Sequence, residues 1–239
     1  MNLKDKVAVV TGASSGLGLA FSRVLIEKGA TVFGLARRVE KLAAARESLG
    51  ERFMPVACDV TDEDAVAKAF ETVHAGADHL DILVNNAGLG KFGKVDEMPL
   101  AHWDVQMETN LRGVFLCTRA ALAPMKRQNA ESGFGGHIVN VASVAGLIGN
   151  PNLGAYNATK FGLRGFSEAL MKEVRDDGVK VTCIYPGSVE TEFAAVAGVS
   201  GSSNPMTADD IAATVVHVLE AADNYLISEV VMRPLRPRG

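Results

Sequence analysis

The stretch K6VAVVTGASSGLGLAFSRVLIEKG29 decides the fold. Lys6–Thr11 is an apolar run of strand length, a helix follows from about Gly16 to Lys28, and T11GASSGLG18 joins them. Gly12 permits a tight reversal, while Gly16 and Gly18 let backbone and helix come close to a ligand. Free N–H groups and the dipole at the start of a helix favour negative charge, so a pyrophosphate suits this position. Glycines in a turn can be turn chemistry alone, and the strand before and helix after are what favour a nucleotide. The motif is not a P-loop, because no Gly-Lys-Ser/Thr follows, and glycines at 12, 16 and 18 depart from G-x-G-x-x-G. Gly29 stops the helix, as a C′ glycine does.

The same alternation continues outward. Further strands are expected at Ala30–Ala36, Phe53–Asp59, Asp81–Asn85, His137–Ala142, Val179–Tyr185 and Glu229–Met232. Helices are expected at Glu40–Leu49, at Asp62–Val73 with Thr61 as N-cap, and as one long element from about Ala101 to Gln128. Two more run from Gly154 to about Arg175 and from Ala208 to about Ala221, the latter with a Thr207/Asp210 capping box. Strands separated by helices imply an α/β fold: a doubly wound, Rossmann-type parallel sheet with helices on both faces. Residues 1–239 are expected to form a single dinucleotide-binding and catalytic domain, with ligands outside the carboxyl ends of the strands.

The 239 residues are 48% hydrophobic and 22% charged, with mean hydropathy +0.14, enough to bury a full core. A net charge of −4 and a pI near 5.8 leave no basic footprint for nucleic acid. No apolar run approaches the roughly 20 residues of a membrane span, and the first strand begins too early for a secretory leader. Cys58, Cys117 and Cys183 form no C-x-x-C and read as small buried hydrophobes in a reducing cytoplasm. The histidines make no H-x-x-x-H pair, so no metal site is expected.

The chemistry is expected in S143VAGLIGNPNLGAYNATK160. Tyr156 and Lys160, four apart, share one face of a helix. An ammonium beside a phenol favours the phenolate, lowering the tyrosine pKa from about 10 towards the range useful for proton transfer. Ser143, at the end of the preceding strand, can hydrogen-bond the same substrate oxygen. A surface tyrosine near a solvated lysine gives the same pattern, so its weight comes from its neighbours. Ser143 is not a hydrolase nucleophile, because G-x-S-x-G would need glycine where Val141 stands. Asn110 lies inside a helix that disfavours it.

In their order these motifs resemble the classical short-chain dehydrogenase/reductase family, of the NADP(H)-preferring type. The T-G-x-x-x-G-x-G turn, Asn85–Asn86–Ala87–Gly88, Asn110, Ser143, Tyr156-x-x-x-Lys160 and Pro186–Gly187 carry the resemblance along nearly the whole chain. It implies reversible hydride transfer between a nicotinamide cofactor and a small carbonyl compound or secondary alcohol. It makes Tyr156 the acid–base residue and Lys160 the group that lowers its pKa and holds the nicotinamide ribose. Ser143 positions the substrate oxygen, and Asn110 keeps a water route beside Lys160. It sets Gly12, Ser14, Ser15, Gly16, Leu17 and Gly18 against the phosphates, and Asp59 and Val60 against the adenine. Asn86, Ala87 and Gly88 line the adenosine side, and Pro186, Gly187, Val189 and Thr191 line the nicotinamide side.

Cofactor choice is read about 20 residues beyond the glycine turn, where an NAD enzyme carries an acid. This chain has Ala36, then Arg37 and Arg38. A guanidinium grips a phosphate with two hydrogen bonds, so NADP(H) is expected, the alternative being arginines that only solvate the start of the second helix. Ser14 and Ser15 stand where some similar NADP enzymes carry another basic residue, though a serine hydroxyl can still bond the phosphate. Glu40 is near enough to pair with Arg37 or to reach the ribose. The segment E192FAAVAGVSGSSNP205 is small and Gly/Ser-rich, so residues 188–207 are expected to form a substrate-side flap. Leu147, Ile148, Asn150, Leu153, Phe193 and Val196 are the expected pocket, suited to a partly apolar molecule without recognition of negative charge. The tail V230VMRPLRPRG239 lacks the family's D-G-G ending, which leaves the substrate and any C-terminal tetramer contact open. The family's long helix pair implies a homodimer or homotetramer. Of two rival readings, an epimerase or dehydratase of the extended relatives has another glycine spacing and a longer substrate domain. A nucleotide-sensing scaffold would have lost one of four side chains that this chain keeps.

Overall fold

The computed structural model describes residues 1–193 and 204–235. Val196, most of the Gly/Ser stretch and the last Arg/Pro residues lie outside the described residues. The strands are β1 (Val7–Thr11), β2 (Thr31–Ala36), β3 (Phe53–Ala57), β4 (Ile82–Asn85), β5 (Gly136–Val141), β6 (Val179–Pro186) and β7 (Glu229–Met232). All pair in parallel, in the order β3-β2-β1-β4-β5-β6-β7. The chain winds outward from β1 to β3, returns to the centre and winds the other way from β4. The reversal between β1 and β4 opens a crevice at their carboxyl ends, where ligands bind in such sheets.

Alternation along β1 sorts the core into two layers. Ala8 and Val10 pack with α1 (Gly16–Glu27), α2 (Val39–Leu49) and α7 (Ala208–Glu220), through Phe21, Leu25, Leu42 and Val215. Val7 and Val9 face the opposite layer, where α3 (Glu63–Gly76), α5 (Gly113–Ser132) and α6 (Gly154–Val174) contribute Phe70, Met125 and Leu170. A strand of period two between two apolar layers has no polar face, which explains the continuous apolar runs.

Three local expectations are met and two are corrected. Gly29 ends α1 with φ +91°: its N–H bonds the Ile26 carbonyl at 2.8 Å, and Ala30 N–H bonds Leu25 at 3.0 Å. Thr207 and Asp210 form the reciprocal capping box. The doubly wound parallel sheet itself stands as expected. Thr61, however, does not cap α3. Asp59 Oδ1 accepts from Thr61 N–H at 3.0 Å and from its hydroxyl at 2.9 Å, so Asp62 caps instead, accepting from Ala65 N–H at 3.0 Å. The single long helix is also interrupted. It divides into α4 (Leu100–Met107) and α5 around a π-helical turn at Glu108–Arg112, with Asn110 buried at its centre. An extra residue in the turn turns Asn110 inward and absorbs its poor helix propensity.

Candidate active site and cofactor cleft

A cavity of about 600 Å³ opens at the β1/β4 crevice. Its floor is stitched across the sheet. Thr11 Oγ1 accepts from Asn86 and Ala87 N–H, both at 2.9 Å, and Asn86 Nδ2 donates to the Thr11 carbonyl at 2.9 Å. Gly12, at φ +66°, passes so close to this corner that a Cβ would stand 3.0 Å from Ala87 Cα. A Cβ on Gly18 would collide with the Gly12 carbonyl and lie 2.7 Å from Asn86 Nδ2. Gly18 is thus required by the packing of helix against turn and does not border the cavity.

The other residues expected to meet the cofactor do border it: Gly12, Ser14, Ser15, Gly16, Leu17, Arg37, Arg38, Asp59, Val60, Asn86, Ala87, Gly88, Tyr156, Lys160, Pro186, Gly187, Val189 and Thr191. Glycine backbone at the mouth, a helix N-terminus aimed into it and guanidinium groups at one end fit a dinucleotide with a charged pyrophosphate. Of the expected pocket residues, Asn150, Leu153 and Phe193 border the cavity. Leu147 instead packs beneath it with Leu163 and Tyr185, and Ile148 is half exposed outside it.

Ser143 follows β5 and caps a short turn at Val144–Gly146, its Oγ accepting from Ala145 N–H at 3.1 Å. The same hydroxyl favours ionisation of the Tyr156 phenol. Tyr156 and Lys160 lie in the first turns of α6, both buried. Lys160 Nζ donates to the Val141 carbonyl at 2.9 Å and sits 5.6 Å from the centroid of the Tyr156 ring. The expectation that Lys160 brings the tyrosine below its ordinary value is corrected here. Burial dominates and pushes Tyr156 up to about 12, with the Ser143 hydroxyl working against it. Burial likewise pushes Lys160 down to about 8.

Asn110 does not line the cavity. Its Oδ1 accepts from Leu89 N–H at 2.9 Å, and its Nδ2 donates to the Leu89 carbonyl at 2.8 Å and to Thr159 Oγ1 at 3.1 Å. Its side chain therefore clamps the loop after β4 to α6, behind Gly88 and Lys160.

Sequence reading missed Phe92. Its ring meets Tyr156 edge-on at 5.5 Å between centroids, and Phe193 lies 5.7 Å from Tyr156 and 6.4 Å from Phe92. The signal was an aromatic residue inside the glycine-rich G88LGKFG93 that leaves the carboxyl end of β4. At the far end of the cleft, Arg37 Nη1 stands 3.7 Å from Asp59 Oδ2, so its partner is Asp59 and not Glu40. Arg38 Nη2 donates to Ser15 Oγ at 2.8 Å and Ser14 Oγ at 3.3 Å. Among the described residues, no group of three or more His, Cys, Asp or Glu could hold a metal ion, and no helix is long and apolar enough to cross a membrane.

A glycine-turn dinucleotide crevice that ends on a Ser–Tyr–Lys cluster, its tyrosine and lysine buried, defines a nicotinamide-dependent oxidoreductase. Comparison with known proteins gives the family. Residues 6–198 match the short chain dehydrogenase family, and the chain belongs to it. It is 38% identical over 193 residues to the 3-oxoacyl-acyl-carrier-protein reductase FabG of Vibrio harveyi, covering 81% of this chain and 77% of that one. It superimposes on the crystal structure of 3-ketoacyl-(acyl-carrier-protein) reductase from Brucella melitensis complexed with NADH. There the TM-score is 0.90 and the identity 28%, over 96% of this chain and 97% of that one. It also matches the closed form of serine dehydrogenase complexed with NADP+, with TM-score 0.87 and 29% identity over 96% and 95% of the two chains. The protein is an oxidoreductase of this family, with a nicotinamide nucleotide as cofactor and a small molecule as substrate.

Proposed function

We propose that the protein transfers hydride reversibly between NADP(H) and an uncharged, largely apolar carbonyl compound or its secondary alcohol. The observation that carries this reading is the sharing of one cleft by the Ser143–Tyr156–Lys160 cluster and, at the other end, Arg37 and Arg38.

The bound nicotinamide supplies or accepts the hydride. In reduction, Tyr156 gives its Oη proton to the carbonyl oxygen as the carbon is reduced, and oxidation reverses this. A phenol pushed up to about 12 stays protonated at neutral pH, which suits the acid role. Ser143, which lines the same cavity as the phenol, holds the substrate oxygen within reach of it. Lys160 stays charged below about pH 8 and favours the phenolate that proton transfer leaves behind. Asn110 acts through position, fixing the wall behind Lys160 and the path by which the proton is replaced.

The substrate end supports the apolar assignment. Of the ionisable groups bordering the cavity, Arg37, Arg38, Asp59 and Glu192 form ion pairs near the adenosine end and burial keeps the Cys58 thiol neutral, which leaves Tyr156 and Lys160 at the reacting end. The sequence A194AVAGVSGSS203 adds none. A zwitterion such as serine, the substrate named for one similar enzyme, would meet no opposite charge besides Lys160. Similar enzymes occur in complex with NADH and with NADP+, so the argument for NADP(H) rests on Ala36, Arg37 and Arg38 in this chain.

The reading includes a single domain over 1–239, in which residues 188–207 are the flap. Its base is pinned where Glu190 N–H meets the Met206 carbonyl at 2.8 Å and Met206 N–H meets Ser188 at 3.0 Å. It includes a cytoplasmic location, supported by three free buried cysteines. It also includes a homodimer or homotetramer through the α4/α5 and α6 faces, where Trp103, Phe115 and Phe161 are exposed. The deciding experiment follows loss of reduced-cofactor absorbance with NADPH and with NADH over matched ketones and keto acids. Preference for NADPH and uncharged ketones is the expected result. A preference for NADH, or for keto acids, overturns the corresponding half of the proposal.

A further inference from the structure

Glu192 stands at the root of the flap, one residue beyond Thr191, and reaches across the cleft to α2. Lys41 Nζ donates to its two carboxylate oxygens at 2.9 and 3.0 Å, and Arg38 Nη1 lies 3.7 Å away. Arg38 is at the same time the donor to Ser14 and Ser15 in the glycine turn. Ser14, Ser15, Arg38, Lys41 and Glu192 thus converge from the turn, α2 and the flap. One guanidinium, one ammonium and two hydroxyls make a donor set suited to a phosphate dianion. The fifth member brings an anion of its own into that set. Lys41 and Arg38 hold the Glu192 carboxyl below the usual carboxylate range, so it is charged at neutral pH.

The position of Glu192 is not independent of the chemistry. On one side of it, Thr191 crosses the glycine turn so closely that a Cβ on Gly16 would stand 3.5 Å from Thr191 Cβ. On the other, Phe193 packs 5.7 Å from the Tyr156 ring. A shift of Glu192 is carried to both neighbours.

We infer that Glu192 is an internal competitor for the 2′-phosphate of NADP(H), and that Lys41 joins Arg38 in binding that phosphate. The inference rests on the NADP(H) reading above. NAD(H) has no 2′-phosphate and leaves Glu192 paired with Lys41. NADP(H) takes both cations from Glu192 and so frees the flap root that carries Phe193. Glu192 therefore weakens NADP(H) binding and sets how far the enzyme discriminates between the two cofactors. Lys41, four residues beyond Arg37 and already inside α2, lies past the position at which cofactor choice is ordinarily read.

The test measures calorimetric affinity of the full chain for adenosine 2′,5′-bisphosphate and for 5′-AMP, probes that carry no nicotinamide. Glu192→Gln keeps size and hydrogen bonding and removes the charge. It should tighten the bisphosphate by about three- to tenfold at low salt, in line with an exposed ion pair, and leave 5′-AMP unchanged. Lys41→Ala should weaken the bisphosphate alone, with recovery in Lys41→Arg. The inference is overturned if Glu192→Gln leaves the bisphosphate affinity unchanged or lowers it, or if Lys41→Ala weakens both probes equally. Wild type binding the bisphosphate no more tightly than 5′-AMP would overturn the NADP(H) reading itself. Wild-type discrimination with an inert Glu192→Gln would overturn only the competitor.

Discussion

The two ends of the cleft are built on opposite principles. At the reacting end, Tyr156 and Lys160 are 8% and 5% exposed, and dehydration sets their proton affinities. At the adenosine end, the Arg37 and Arg38 side chains are 65% and 49% exposed, and their partners are Asp59, Ser14, Ser15 and Glu192. Proton transfer needs atoms held to a fraction of an ångström in a dry setting, so that end belongs to the core. Recognition of a phosphate needs only positive charge within reach, so the other end can be wet and able to exchange partners. Burial by itself does not mark a reacting group. His137 is pushed down to about 3 by burial at the amino end of β5, far from the cleft, and its Nε2 simply meets Thr182 Oγ1 at 2.8 Å. What distinguishes Tyr156 is the convergence of Ser143, Lys160 and two aromatic rings on it.

The largest expected effect therefore lies at the buried end. Tyr156→Phe should lower kcat by roughly a thousandfold or more, because the acid is removed and nothing replaces it. The ring still packs against Phe92 and Phe193, so folding and cofactor affinity should be unchanged. Steady-state kinetics with a cofactor titration reads both, and a variant that kept a tenth of the activity would break the comparison at its dry end.

Lys160 comes next. Its ammonium is charged below about pH 8 and neutral above, so the rate of carbonyl reduction should fall as pH rises through about 8. Tyr156, at about 12, stays protonated across that window and cannot produce this limb. Lys160→Ala should cost on the order of a hundredfold and remove the limb with it. A variant whose pH profile of kcat/KM kept the same limb would assign that titration to another group.

The two ends also differed in how well they could be read from sequence. The sheet, the glycine turn and the Ser143–Tyr156–Lys160 cluster were legible because each depends on short-range spacing: strand, turn and helix at Lys6–Gly29, and two residues four apart on α6. The proton affinity of Tyr156 was not, because it follows from burial by Phe92 and Phe193, which are distant in sequence. The bias at Asn110 towards a helix defect was visible, but not the π-helical turn, since a change of hydrogen-bond register leaves no periodicity of its own over five residues. Thr61 was misread because a threonine before a helix and a threonine inside an Asp59 turn have the same local sequence. At the wet end the basic residues were legible and their partners were not. Asp59 rather than Glu40 faces Arg37, and Glu192 meets Lys41 across 151 positions of chain.

The smallest effect, and the one that tests the wet end most directly, is expected from Arg37→Ala. Its guanidinium is exposed and 3.7 Å from Asp59, so any phosphate contact it makes is formed in competition with water and with that carboxylate. A charge-assisted contact under those conditions should be worth about tenfold in kcat/KM with NADPH at low salt, and nothing with NADH. The Debye length shrinks to about 3 Å at 1 M salt, so the difference between wild type and variant should shrink several-fold as salt is raised. The loss in Tyr156→Phe should not move with salt, because the substitution removes a neutral hydroxyl and no charge that salt could screen. Arg37 isolates the question better than Arg38, whose removal would also release Ser14, Ser15 and Glu192. Equal losses with both cofactors would mean that Arg37 supports the adenosine as a whole and not the phosphate. A loss with NADPH that ignored salt would mean that this end closes and dries on binding, and the contrast between the two ends would then belong to the free protein alone.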